Sequence, residues 1–358
     1  LTFIRNNAFI LSILYWDISL KHKTDIVVIG AGPIGLFSVF EAGMLKMKCH
    51  VVDALNFIGG QCSALYPEKP IYDIPAYPSI SAQDLIDKLE EQIKPFEPTY
   101  HLGQQVIGFH PQTDGTFDII TSKDTIINAK AIIIAAGCGA FGPNRPPLDN
   151  IESFEGESIM YSVRNKSLLK DKNIVIAGGG DSAVDWAIEL SGFAKSVTVV
   201  HRRNKFRCAP ESTNRMEKLI DEGKINLEAP YQLHKLHGAE GKLHSIDLIG
   251  FDEEIKNIQC DVLLPFFGLS MDLGPILDWQ LALEKKHLSV SNETMETNVK
   301  GIYSIGDVAS YPGKLKLILT GFSEAAIAAH NIYNLVYPNQ PLHFEYSTTK
   351  GVKIDEKL

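Results

Sequence analysis

The sequence predicts an α/β protein in which one parallel βαβ fold is written twice. Two strand–glycine turn–helix units begin about 148 residues apart, at Gly30 and Gly178. Each is followed by a further apolar strand, as a parallel sheet requires. The length of 358 residues leaves room for two domains. Composition agrees, because 45% hydrophobic and 22% charged residues exclude a disordered tail, a collagen-like fibre and a polytopic membrane protein. With 34 Lys+Arg against 43 Asp+Glu the formal charge is −9, so the chain lacks the field of a sequence-independent nucleic-acid binder. Any basic site must be local.

Residues 1–23 are expected to be an N-terminal extension. The run 9–16 is dominated by large apolar side chains, yet it is too short to span a bilayer, and residues 15–17 make a poor signal-peptide cleavage site. The first unit then runs from an apolar strand at 25–29 into Gly30-Ala31-Gly32-Pro33-Ile34-Gly35, a helix to about Lys46 and a strand at 49–53. A buried strand is expected over 131–137, and the stiff, glycine-rich stretch 139–147 places a boundary near residue 142. The second unit comprises a strand at 174–177, the turn 178–183, a helix to about Ser191 and a strand at 197–201. A return crossing at 265–269 precedes a strand at 301–305 and a long helix at 317–335. The expected domains are therefore 24–142 plus 267–358, and 143–266.

A lone G-x-G-x-x-G is weak evidence, but this one follows a strand, opens a helix and is succeeded by Asp53, 18 residues after Gly35 at the end of the next strand. Gly30 makes the tight turn, Gly32 lets a pyrophosphate approach, and Gly35 lets helix and sheet pack. The helix N-terminus favours the phosphate charge, and Asp53 accepts from the adenosine ribose hydroxyls. The second turn reads G-x-G-x-x-A, with Gly178, Gly180 and Ala183, and Asp181 and Ser182 at the opening of its helix. Eighteen residues after Ala183 stands His201, followed by Arg202 and Arg203 instead of an acid. An acid would repel a 2′-phosphate, whereas guanidinium groups bind it, so this site reads as NADP(H), with Arg207 as a third contact. Residues 297–307 follow the T-x-x-x-G-[IV]-[YF]-x-x-G-D pattern of flavoproteins, in which Asp307 meets the ribityl chain of FAD. The helix beginning near Leu317 would turn its N-terminus to the flavin's pyrimidine side. Five scattered cysteines, Cys49, Cys62, Cys138, Cys208 and Cys260, form no C-x-x-C and no metal-ligand pair. They fit a reducing cytoplasm, and no metal is expected.

With these motifs in place, the sequence resembles the flavoprotein reductases with two Rossmann-like dinucleotide-binding domains of the low-molecular-weight thioredoxin reductase architecture. Thioredoxin reductases carry a redox-active C-x-x-C before the NADPH turn; residues 159–164 here hold no cysteine. The thioredoxin-reductase-like (type 2) ferredoxin–NADP reductases, bacterial FAD enzymes without a disulfide, match better. Shared segments are 59–78 (GGQCSALYPEKPIYDIPAYP), 178–187 (GGGDSAVDWA), FFGLS with LGPI within 266–276, the Gly-Asp motif and 346–351 (YSTTKG). The resemblance covers roughly residues 24–351. It makes 24–142 plus 267–358 the FAD domain and 143–266 the NADPH domain, and it carries FAD contacts onto Asp53, Gln61, Tyr66, Val106, Phe141, Asp307 and Thr348. Tyr66 would stack on the isoalloxazine and Tyr346 would cover its other face, so no side chain is expected to act as a chemical catalyst. The implied reaction is hydride transfer from NADPH to FAD followed by one-electron transfer to ferredoxin, in a cytoplasmic homodimer that needs neither nucleic acid nor membrane. Lys314 and Lys316 are candidates for a cationic ferredoxin-docking patch. The alternatives are flavodoxin or another acceptor, and a non-catalytic nicotinamide-sensing flavoprotein.

Overall fold

A computed structural model describes residues 21–139, 142–270 and 272–342. These residues divide into two units, one formed by 21–139 with 272–342 and the other by 142–270. The first contains a five-stranded parallel sheet in the order Ile302–Ser304, Ala131–Ile134, Ile26–Ile29, Cys49–Asp53 and Thr99–Leu102. Its central strands Ala131–Ile134 and Ile26–Ile29 are apolar without alternation because both faces are covered. Ile26 and Val28 point into a layer with the helices Pro33–Met44, Ala82–Ile93 and Ile318–Val336, while Val27 and Ile29 point into the opposite layer with Ile119, Ile127 and Trp279. Ile26, Val27 and Val28 are fully buried, each stabilising the fold by about 1.5–3 kcal/mol relative to exposure.

The opposite layer is an antiparallel sheet of Val106–Pro111, Phe117–Thr121 and Ile126–Ala129, an arrangement the sequence reading did not foresee. Lys21–Lys23, assigned above to the extension, form its fourth strand, parallel to Ile126–Ala129 in the register Lys21 to Ile126. The first unit therefore takes in residues before 24, held by a ladder whose partner lies about a hundred residues away. The strand expected over 131–137 ends at Ile134, because the chain turns through Gly137 (φ 58°) and Gly139 (φ 71°).

The second unit repeats the plan with a four-stranded parallel sheet in the order Asn226–Glu228, Ser196–Val200, Asn173–Ala177 and Val262–Pro265. Helices Asp181–Leu190 and Pro210–Asp221 pack on the face of Ile174, Ile176, Val197 and Val199. The antiparallel strands Tyr231–Ala239, Lys242–Gly250 and Ile255–Gln259 supply Leu243, Ile246 and Leu248 against Val175, Ala177 and Val200 on the other. Backbone pairing of Gly142–Pro143 with Leu269–Ser270 brings both crossing segments into this unit, a few residues outside the expected 143–266.

Candidate dinucleotide sites

In the first unit the strand Ile26–Ile29 hands the chain to Gly30, whose φ of 110° is open to glycine, and Gly30 N–H donates to Val52 O at 2.8 Å. The three glycines have separate jobs. A Cβ on Gly30 would lie 2.4 Å from Ala135 O, and one on Gly35 would lie 1.9 Å from Gly30 O, so both are close-packing positions. A Cβ on Gly32 would meet no protein atom within 4 Å, so its backbone faces open space at the start of a helix that has no side-chain N-cap. That combination fits a pyrophosphate. Asp53 closes the turn: Oδ2 accepts Ala31 N–H at 2.6 Å and Oδ1 accepts Leu55 N–H at 2.8 Å. Burial pushes its carboxyl above the usual range, against the pull of those two amides. Each oxygen keeps a lone pair for a ribose hydroxyl.

A second glycine pair packs on the first, since Gly59 N–H donates to Ala31 O at 2.8 Å and a Cβ on Gly60 would come within 3.1 Å of Gly32 Cα. It starts the short helix Gln61–Leu65. Gln61 lies beside Gly137, and its amide group favours the thiolate of the neighbouring Cys138 against the opposing effect of burial, a neighbour that sequence reasoning missed. Tyr66 ends the helix with its ring against the helical core; its hydroxyl is 3.9 Å from Cys62 Sγ, and Cys62, Asp307 and Cys138 surround it electrostatically. Burial drives the Tyr66 phenol far above its ordinary value, so it stays protonated, and Lys69 Nζ stands 5.9 Å from its ring centroid. Asp307 follows Gly306 (φ 74°) after the strand Ile302–Ser304, and a Cβ on Gly306 would be 3.6 Å from Ile34 Cδ1. The Gly-Asp turn thus abuts the glycine-turn helix. Val106 is buried with Val52 and Leu273, which leaves its main chain as the part able to meet a ligand. Gly30, Gly32, Gly35, Asp53, Gln61, Tyr66 and Asp307 therefore gather at the C-terminal ends of the parallel strands, while Phe141, Tyr346 and Thr348 lie outside the described residues.

Two residues behave differently from expectation or escaped it. Lys314 is not a surface lysine: its side chain is 7% exposed and ion-paired with Glu324, so it cannot serve a docking patch. Glu324, 1% exposed, also accepts Gly306 N–H at 2.7 Å and Tyr311 O–H at 2.6 Å. The available signal was the one acid of the helical run 318–336, standing next to the apolar stretch 325–329.

The second unit reproduces the glycine logic. A Cβ on Gly178 would lie 2.5 Å from Phe266 O, whereas one on Gly180 would find nothing closer than Arg207 O at 3.9 Å. Ala183 is buried, and Asp181 and Ser182 are exposed at the start of the helix, where Asp181 Oδ1 accepts Ala209 N–H at 3.0 Å. Arg207 N–H donates to Gly179 O at 2.7 Å, so the arginine loop is fastened to the glycine turn. The His201 ring fills the space beneath Gly179, lies 5.1 Å from the Phe206 ring, and is held below its usual pKa by burial and by Arg202, Arg203 and Arg207. All three arginines are exposed, and among the described residues none has an ion-pair partner. Unpaired guanidinium groups at the rim of an uncapped glycine turn suit a 2′-phosphate. All five cysteines are free thiols.

The profile of the pyridine nucleotide-disulphide oxidoreductase family matches residues 24–330. A ferredoxin–NADP reductase of Rickettsia akari is 56% identical over 329 residues, 92% of this chain and 98% of the relative. Those of Rhodospirillum rubrum and Ehrlichia canis are each 56% identical over 333 residues, covering 92% of this chain and 96% and 98% of the relatives. Among solved structures, thioredoxin reductase from Lactococcus lactis superposes with a TM-score of 0.76 at 25% identity, covering 88% of this chain and 99% of that one. The thioredoxin reductase of T. acidophilum, with a TM-score of 0.75 at 23% identity and coverages of 88% and 99%, shares the fold. With both glycine turns, the Gly-Asp motif and relatives alike over nearly their full length, the chain belongs to the pyridine nucleotide-disulphide oxidoreductases, within the family of ferredoxin–NADP reductases.

Proposed function

We propose that the chain carries electrons between NADPH and ferredoxin, reversibly, using FAD held in the first unit and NADP(H) held in the second. The observation that carries this reading is a pair of complete dinucleotide turns without a dithiol: residues 159–164 hold no cysteine, and every cysteine is a free, scattered thiol. A flavin reductase without a disulfide relay must discharge its electrons directly to an external acceptor, and the named relatives make ferredoxin the acceptor of choice. When bound, FAD supplies the chemistry, accepting a hydride and releasing single electrons.

The chain's own residues bind and orient. Backbone amides at Gly32 and Gly180 face the two pyrophosphates, Asp53 takes the ribose of FAD, and Asp307 takes its ribityl chain. Tyr66, protonated and held by the helical core, presents a rigid ring beside the flavin. Arg202 and Arg203, with Arg207, select NADPH over NADH. Among the described residues no helix is long and apolar enough to cross a membrane. The proposal extends to a homodimer in the cytoplasm, which sedimentation and fractionation test. The deciding experiment is anaerobic mixing with NADPH, which should bleach the flavin band near 450 nm. Turnover against ferredoxin, flavodoxin and a dithiol protein should then favour ferredoxin. An unbleached flavin would leave only a nicotinamide-binding role.

A further inference from the structure

Glu324 sits on the helix Ile318–Val336, whose buried face is otherwise lined by Gly321, Ala325, Ala328, Ala329, Ile332 and Val336. Desolvating a carboxylate is costly unless it is paired and hydrogen-bonded. Both oxygens of Glu324 are engaged: Oε1 accepts the Tyr311 hydroxyl and pairs with the Lys314 ammonium, and Oε2 accepts Gly306 N–H. Lys314 Nζ in turn stands 5.5 Å from the Tyr311 ring centroid. The cluster reaches past its own helix to the Gly-Asp turn. The parallel ladder ends with Ile305 N–H donating to Ile134 O at 3.0 Å, and Gly306 N–H is the first amide beyond it. Glu324 captures that amide at a residue with φ 74°, immediately before Asp307.

We infer that Glu324, held by Tyr311 and Lys314, is a positioning residue that fixes the Gly306 peptide and thereby aims Asp307 at the ribityl chain. The inference rests on the reading of the first unit as the FAD site. Removing the acceptor while also removing the stranded ammonium separates positioning from ion-pair stability. In E324Q/K314M the glutamine Oε1 still accepts Gly306 N–H; in E324A/K314M nothing does. Both apoproteins are titrated with FAD by fluorescence quenching, with NADP+ affinity and apoprotein Tm measured alongside. The expected result is an FAD Kd about tenfold higher for E324A/K314M than for E324Q/K314M, at equal NADP+ affinity and similar Tm. Equal FAD Kd values would overturn the inference. If either double variant fails to fold, Tyr311→Phe decides: an FAD Kd raised about threefold supports the positioning role, and an unchanged one overturns it. Failure of the parent apoprotein to bind FAD would instead remove the flavin reading itself.

Discussion

Replacing Arg202 and Arg203 together by alanine should turn an NADPH-preferring site into an indifferent one. The loop will stay in place, because it is fastened through the backbone: Arg207 N–H donates to Gly179 O at 2.7 Å, and Asp181 Oδ1 accepts Ala209 N–H at 3.0 Å. The loss is therefore confined to side-chain contacts with the 2′-phosphate. Neither guanidinium has an ion-pair partner among the described residues, so binding phosphate breaks no existing pair and the whole contact energy counts. A hydrogen bond to a charged group contributes roughly 1.5–3 kcal/mol, and exposure argues for the low end or below, about 1–1.5 kcal/mol each. Two lost contacts then amount to about 2–3 kcal/mol, a fall of about 30- to 150-fold in kcat/KM for NADPH. NADH, which lacks the phosphate, should be used as before. Steady-state reduction of ferricyanide, an acceptor needing no docking surface, measures both ratios on one preparation. An unchanged NADPH/NADH ratio, or an equal fall with both nucleotides, would refute the assignment of the second turn.

Gly32→Ala and Gly35→Ala should fail in opposite ways. A Cβ at 32 enters open space and at 35 sits 1.9 Å from a carbonyl oxygen, so the first should leave apoprotein Tm unchanged but prevent flavin retention, while the second should lower Tm outright; the flavin-to-protein ratio after gel filtration and a melting curve check both, and a Gly32→Ala protein with stoichiometric FAD is the contrary result. Thiol titration of the native protein at pH 8 should find no more than Cys138 and Cys208, because Cys49, Cys62 and Cys260 are buried and burial pushes Cys62 up to about 11; three or more reactive thiols would contradict that packing. His50 Nδ1 lies 2.9 Å from His101 Nε2 with the His22 ring 5.5 Å away, and burial with these neighbours lowers His50 to about 4. The unfolded chain accepts that proton near pH 6.5 and the folded chain resists it, so stability is full above pH 6.5 and lost as pH falls toward 4. His50→Gln should flatten the fall of Tm across that window, and parallel curves for variant and parent would disprove the coupling.

The parts legible in the sequence are those encoded within one strand–turn–helix unit. Gly30, Gly32, Gly35 and Asp53 are spaced by the rise of a strand, a tight turn and a helix, and the second unit keeps that spacing with His201, Arg202 and Arg203 where the first has an acid, which is the signal for the proposed NADP(H) site. Apolar strands without alternation likewise announce a sheet covered on both faces, though not what covers it. Only the tertiary structure decided that antiparallel sheets supply the second cover in each unit, and that Lys21–Lys23 join one of them through a partner strand at Ile126–Ala129. Lys314 shows why local reading stops there. In the sequence it stands between a glycine and a leucine and reads as a loop lysine, but the helix that follows brings Glu324 over it, and the pair is buried against Gly306. Cys138 beside Gln61 is the same case across a longer separation. Residue type and spacing determine the hydrogen bonds a segment makes with itself, whereas burial and the pairing of charges depend on which distant segments the packed core brings together, and no local periodicity records that.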